Sequence, residues 1–296
     1  MRVLITGCHG QVGSCLTEQL ANNENITVLA LDRQHLDISN QDAVNAVVTE
    51  FQPSVIINAA AHTAVDKAEE EVALSYAINR DGPKYLAQAA QTIGAAILHI
   101  STDYVFEGNK VGDYIETDPT NPQGVYGESK LAGEIAVAQS CEKHIILRTA
   151  WVFGENGNNF VKTMLRLGET RDALSIVGDQ FGGPTFAGDI ASTLIQIAKR
   201  ITQGSEVEYG IYHYSGLPHV SWFDFAEAIF DIAVERGVLD SKPNLSSITT
   251  EQYPTPAKRP SNSRLNTEKI SQYFFVQASD WRKVLKVILG DDNGRH

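Results

Sequence analysis

Short apolar runs alternate with amphipathic stretches through the first half of the chain. Val3-Leu4-Ile5, Ile26 to Leu31 (ITVLAL), Ser54 to Asn58 (SVIIN), Ala95 to Ile100 (AAILHI) and His144 to Arg148 (HIILR) have little or no polar face. Strands covered on both sides of a parallel sheet have this composition. Between the second and third runs, Ala43, Val44, Val47, Val48 and Phe51 recur at helical spacing, with Ser39 or Asn40 available as cap. Ala73 to Gln91 holds few breakers apart from Gly82-Pro83 and reads as one long helix. The alternation predicts βαβ units and an α/β fold on a doubly wound parallel sheet.

The pattern loosens after residue 150. Asn159 to Leu167, Ile190 to Ile201 and Trp222 to Glu235 read as helices, the last with Trp222, Ala226, Ile229 and Ala233 on one face. Ser175-Ile176-Val177 and Ile211 to Tyr214 read as short strands, the first of which is expected to return to the main sheet. Residues 238–262, rich in Ser, Thr and Pro, read as a surface loop with little regular structure. The shift divides the chain into residues 1–150 and a smaller α/β region, 151–296, with some of its segments packing back on the first.

The 296 residues suffice for one large or two smaller domains. Nucleic-acid binders usually carry a basic face, and a net charge of −12 argues against nucleic acid as a partner while leaving room for a local basic pocket for a small anion. The acidic stretches Asp66 to Glu71 and Asp291-Asp292 read as solvated faces. The opening MRVLITG starts a strand at once and lacks a basic region followed by an apolar core, unlike a secretory signal. No apolar run approaches the roughly 20 residues of a membrane helix. Cys8, Cys15 and Cys141 are too few and too scattered for a disulfide framework or a metal site. A cytoplasmic protein with no membrane partner is expected.

Gly7-Cys8-His9-Gly10-Gln11-Val12-Gly13 follows the first strand and opens a helix. This G-x-x-G-x-x-G turn is a variant of the dinucleotide fingerprint of Rossmann-type folds. Gly7 takes the tight turn, Gly10 lets the backbone approach a pyrophosphate, and Gly13 allows close packing of helix on strand. Asp32 closes the second strand, where a carboxylate commonly accepts ribose hydroxyls, although a capping role fits the same position. Arg33 beside it suits a 2′-phosphate, so NADH and NADPH both remain open. Asp37 and Ile38 come next; Asp37 fits an adenine contact or a turn.

Tyr126 and Lys130 lie four residues apart and share a face if helical. A phenol that protonates a carbonyl oxygen needs its pKa lowered, and a nearby ammonium is expected to supply that shift. Ser101-Thr102-Asp103 ends the fourth strand, at the edge where open α/β sheets bind ligands. Thr102 is preferred over Ser101 as the hydroxyl that steadies a developing oxyanion. Trp151 follows the fifth strand, either on the ligand side or sealing the junction between the two regions. Lys258-Arg259-Pro260 is a basic cluster in an acidic chain.

With these motifs stand TGCHGQVG, NAAAHTAVDKAE, STDYVFEG, VYGESKLAGE, RTAWVFG, NNFVKTMLRL, DQFGGPT and YPTPAKRPSNSRLNTEKI, in order along nearly the whole chain. Together they resemble the extended short-chain dehydrogenase/reductase superfamily, and within it the reductases that act on dTDP-bound 4-keto-6-deoxy sugars. The resemblance implies an NADPH- or NADH-dependent oxidoreductase with an N-terminal cofactor domain and a mainly substrate-binding C-terminal region. It implies Tyr126 as catalytic acid, Lys130 as its helper and Thr102 as the tuning hydroxyl. Gly10, Gln11 and Val12 would then contact the cofactor phosphates. Asp32, Asp37 and Ile38 would surround the adenosine, and Ala61, His62 and Thr63 would follow the third strand beneath the ribose. Thr102, Asp103 and Trp151 would touch the dTDP-sugar, with Lys258 and Arg259 offering counter-charge to its diphosphate. His62 has no partner at metal-ligand spacing. Some members of the family form dimers bridged by Mg²⁺ through surface glutamates, and one of these falls where this chain has Cys15. A neutral thiol suits a hard cation poorly, which argues against the bridge and leaves a homodimer open. Two other readings compete: a redox-neutral nucleotide-sugar epimerase or dehydratase, and a non-catalytic dinucleotide-binding regulatory subunit. The intact Thr102, Tyr126 and Lys130 set argues against the last.

Overall fold

The computed structural model describes residues 1–21 and 23–290; Asp291-Asp292 lies outside them. Six parallel strands form the central sheet: β1 (Arg2–Thr6), β2 (Thr27–Leu31), β3 (Val55–Asn58), β4 (Ala96–Thr102), β5 (His144–Thr149) and β6 (Gly210–His213). Their order across the sheet is β6-β5-β4-β3-β1-β2. Side chains alternate between faces, as the period of a strand requires. Val3, Ile5, Val55, Ile57, Ile145 and Leu147 face one apolar layer, while Leu4, Ile56, Ile97 and Ile146 face the other.

The first layer is covered by α1 (Gln11–Leu20) and, from late in the chain, α6 (Ala187–Thr202). The second is covered by α2 (Gln41–Phe51), α3 (Gly82–Ile93) and α4 (Val125–Ser140). Residues 73–91 are not one regular helix. A short helix, Val72–Tyr76, runs through a π-turn at Ala77–Asp81 into α3. Pro83 lies in the first turn of α3, directly after the π-turn, where the regular α-helical bonding is already interrupted.

A second core lies among α5 (Phe160–Gly168), α7 (Trp222–Glu235) and the helix Trp281–Ile288, around Phe225, Phe230 and Trp281. Ser175 to Val177 does not return to the main sheet. It belongs to Ala173–Val177, which pairs in parallel with Asn244–Ile248 beneath α7. That pairing also corrects the reading of 238–262 as irregular, since Asn244–Ile248 is a strand and Thr250–Gln252 a 3₁₀ turn. The chain returns to the main sheet instead through α6, β6 and the helix Glu268–Phe274, whose Ile270 and Phe274 join the first layer. No helix among the described residues is long and apolar enough to cross a membrane.

Candidate active site

After β1 the chain turns to β2 on one side, and afterwards crosses to β3 on the other. Open α/β sheets bind ligands at such a reversal, beyond the carboxyl ends of the strands. Gly7 has φ +74°, and a Cβ there would lie 2.6 Å from the Ala60 nitrogen. A Cβ on Gly13 would overlap the Gly7 carbonyl oxygen. These two glycines let α1 close on β1 and β3. Gly10 caps α1 in an extended conformation with no side-chain cap. A Cβ added to it would meet only the Gly7 oxygen, at 3.3 Å. The first-turn amides of α1 are therefore open to an anion, and the turn fits a dinucleotide pyrophosphate.

Gly10, Gln11 and Val12 form one wall of a cleft of about 490 Å³. Ala61 and Thr63 continue it after β3, and Thr102 and Asp103 after β4. Tyr126 and Lys130 face in from α4, and Trp151 from beyond β5. Thr102 Oγ1 donates to Asp103 Oδ1 at 3.1 Å and accepts the Tyr104 N–H at 3.2 Å, and its hydroxyl lies near enough to the Tyr126 phenol to favour the phenolate slightly. The Ser101 hydroxyl is engaged elsewhere, donating to Glu134 Oε1. Tyr104 stands edge-on to Tyr126, with ring centroids 5.4 Å apart. Burial pushes the Asp103 carboxyl up to about 6, and its Oδ2 is buried without a partner.

Lys130 does not do to the phenol what its spacing suggests. Its Nζ donates to the Ile100 carbonyl at 2.7 Å, and burial lowers its own pKa to about 8 against the attraction of Glu134. Burial, with repulsion from Asp103, pushes the Tyr126 phenol up to about 12. In the protein alone, desolvation outweighs any help from the ammonium.

Gly7 and Gly13 lie behind the cleft lining in the packing of the turn, and four further predicted residues stand away from it. Asp32 caps the turn after β2: Oδ1 lies 2.6 Å from the His35 ring and accepts the amides of Gln34 and His35. The His35 contact first, and those amides, hold its carboxyl below the usual range. The His9 ring lies 3.3 Å from Asp32 Oδ2, so the carboxylate still borders the glycine turn. Asp37 is exposed and accepts from the Ser39 amide and hydroxyl, the turn role. The Ile38 side chain is buried against α2 and α3. The His62 ring is held 2.9 Å from Ser75 Oγ and 3.0 Å from Glu71 Oε2, leaving only its neighbours to line the cleft.

Trp151 is in both places its position allowed. It lines the cleft, yet it stacks on Trp222 with centroids 3.5 Å apart and crowds Gly182. Its φ of +49° is rare for a bulky residue, a strain held by this packing. Trp151→Ala is therefore expected to raise KM for the sugar and also to cost about 3 kcal/mol, the low end for truncating a large aromatic. Thermal melting and steady-state kinetics on one preparation check both halves.

Several functional contacts were invisible along the chain. Asn79, in the π-turn, binds the backbone N–H and C=O of His62 and the Ser129 hydroxyl, tying the loop after β3 to α4. The Gly82-Pro83 breaker was its only signal. Asn159 caps α5 and donates to Gln11 Oε1 at 3.1 Å, joining the two regions at the glycine turn. A narrow pocket beside Tyr126 is lined by Tyr104, Phe106, Lys258 and Arg259. Asp66 anchors this basic strap through Arg259 Nη2 at 2.7 Å and the Ala257 amide at 3.1 Å. No group of three or more His, Cys, Asp and Glu side chains among the described residues is placed to hold a metal. Cys15 is buried, its thiol pushed up to about 11.

Sheet, glycine turn and the Thr102–Tyr126–Lys130 cluster define a Rossmann-type oxidoreductase of the extended short-chain dehydrogenase/reductase class. More narrowly, the chain belongs to the family of the RmlD substrate binding domain, whose model matches residues 1–293. It is 56% identical over 287 residues to a dTDP-4-dehydrorhamnose reductase of Aggregatibacter actinomycetemcomitans, covering 97% of this chain and 98% of that one. A crystal structure of a dTDP-4-dehydrorhamnose reductase from Clostridium acetobutylicum matches with a TM-score of 0.89 at 43% identity, covering 97% and 98% of the two chains. One from Bacillus anthracis, in complex with NADP, matches with a TM-score of 0.89 at 40% identity over 97% of each chain.

Proposed function

We propose that this protein reduces the C4 keto group of dTDP-4-dehydro-L-rhamnose to give dTDP-L-rhamnose, with NADPH or NADH as reductant. The observation that carries the reading is one cleft lined by the glycine turn and by Thr102, Tyr126 and Lys130 together. The names of full-length relatives at this identity support the particular substrate. A dinucleotide held by Gly10, Gln11 and Val12 at the glycine turn would supply the hydride for the sugar C4. Tyr126 donates its phenolic proton to the C4 oxygen. A phenol at about 12 is a weak acid in the protein alone but protonated throughout the neutral range, the form an acid catalyst requires. Thr102 stands beside that phenol, and its hydroxyl, turned from Asp103, donates to the developing oxyanion. Lys130 binds the nicotinamide ribose and brings a positive charge beside the phenolate as it forms. Trp151 packs on the sugar and Asp103 accepts from one of its hydroxyls, satisfying the orphaned Oδ2. Lys258 and Arg259 face the diphosphate from the narrow pocket. The reading carries a cytoplasmic location and no Mg²⁺ bridge through Cys15.

Supplying dTDP-4-dehydro-L-rhamnose with NADPH or NADH tests the proposal. One equivalent of reduced cofactor is expected to disappear per dTDP-L-rhamnose formed. An epimerase or dehydratase would turn over with no net consumption, and a regulatory subunit would bind cofactor without turnover.

Lys130 gives this reading a pH dependence. It is cationic below about pH 8 and neutral above. Affinity for NADPH, measured by fluorescence titration, is expected to hold toward neutral pH and to fall as pH rises through about 8.

A further inference from the structure

We propose that Glu134 is a positioning residue for this reaction: its buried carboxylate fixes the end of β4 that carries Thr102 and stands one helical turn from Lys130. The inference rests on the reductase reading above. Glu134 is only 2% exposed. Its Oε1 accepts from Ser101 Oγ at 2.5 Å and from Arg148 Nε at 2.9 Å, and its Oε2 from Arg148 Nη2 at 2.6 Å. Ser101 stands between Ile100, whose carbonyl receives Lys130 Nζ, and Thr102, which lines the cleft with Tyr126. One carboxylate thus pins the residue between the acceptor of Lys130 and the tuning hydroxyl. It also lies one helical turn beyond Lys130 on α4; the two form no ion pair, and the carboxylate acts on the ammonium through its charge alone.

Stability alone explains the pair poorly. A buried ion pair replaced by apolar residues is often no loss, and this one is incompletely satisfied. Arg148 Nη1 is buried without a hydrogen-bond partner, and its guanidinium carbon lies 4.9 Å from the Phe106 ring centre. The charges around Lys130 assign the pair a task. Tyr126 shares its helix, Asp103 shares its cleft, and His99 faces it from β4, held neutral by burial. Arg148 stands on β5 behind Glu134. Glu134 is the group that favours the ammonium against the desolvation that opposes it.

The two tasks separate in two variants. Ser101→Ala leaves the ion pair intact and frees the strand end. Its kcat is expected to fall about fivefold, the loss of one modest hydrogen bond, with NADPH affinity and its pH midpoint unchanged. Glu134→Gln with Arg148→Met removes the charge without stranding a guanidinium. Its NADPH-affinity midpoint is expected to move about one pH unit lower, since losing an opposite charge at this range favours neutral Lys130. Circular dichroism and melting establish that the double variant folds, and Ser101→Ala decides if it does not. Wild-type turnover tests the reaction itself, whereas the NADPH titration reads Glu134 whatever the sugar substrate proves to be. A wild-type midpoint in the folded double variant, or wild-type kcat in Ser101→Ala, overturns the proposal.

Discussion

Tyr126→Phe is expected to lower kcat by about 10² to 10⁴ while NADPH still binds, the span over which general acid catalysis usually acts. The ring keeps its edge-on contact with Tyr104 and its place on α4, so the change removes little besides the hydroxyl. Thr102 retains Asp103 and the Tyr104 amide as partners, so its side chain stays where it is. Melting temperature should therefore hold while turnover collapses. Stopped-flow hydride transfer and a cofactor titration on one sample check this. Turnover within a few-fold of wild type would show that another group protonates the sugar oxygen.

Gly10→Val is the counterpart at the other end of the cleft. The added Cβ meets only the Gly7 oxygen, at 3.3 Å, and Gly10 is already extended, so the fold is expected to survive. The branched side chain fills the approach to the first-turn amides. NADPH affinity should fall on the order of 100-fold, near 3 kcal/mol, with only a small change in melting temperature. Gly13 makes the contrast, because its Cβ would overlap the Gly7 carbonyl and strike the fold itself. An unchanged dissociation constant in Gly10→Val would place the pyrophosphate elsewhere.

These two ends of the site were legible because each is local in sequence. The glycine turn lies within seven residues, and Tyr126 and Lys130 lie one turn apart on α4. The same holds for the fold. Strands β1, β3, β4 and β5 are largely buried on both faces and mostly apolar, while β2, at the sheet edge, is only half-buried but keeps an apolar run. Helix α7 begins where Trp222 suggests because Ser221 and Asp224 form a reciprocal cap. What was missed depends on distant partners. Ala173–Val177 finds Asn244–Ile248, a polar segment (NLSSI) that reads as loop until it is paired. The lysine's expected help to the tyrosine reversed for a related reason, since spacing reports proximity and the shift is decided by desolvation. Glu134 and Asn79 carry no local signature, because Ser101, Arg148 and the His62 backbone reach them only through the fold.

The central claim, hydride addition at the sugar C4 with Tyr126 as acid, is tested most directly with NADPH deuterated at the transferred position. The account predicts dTDP-L-rhamnose carrying one deuterium at C4, with one equivalent of NADPH oxidised. Product without the label, or label lost to water in a redox-neutral turnover, would contradict it.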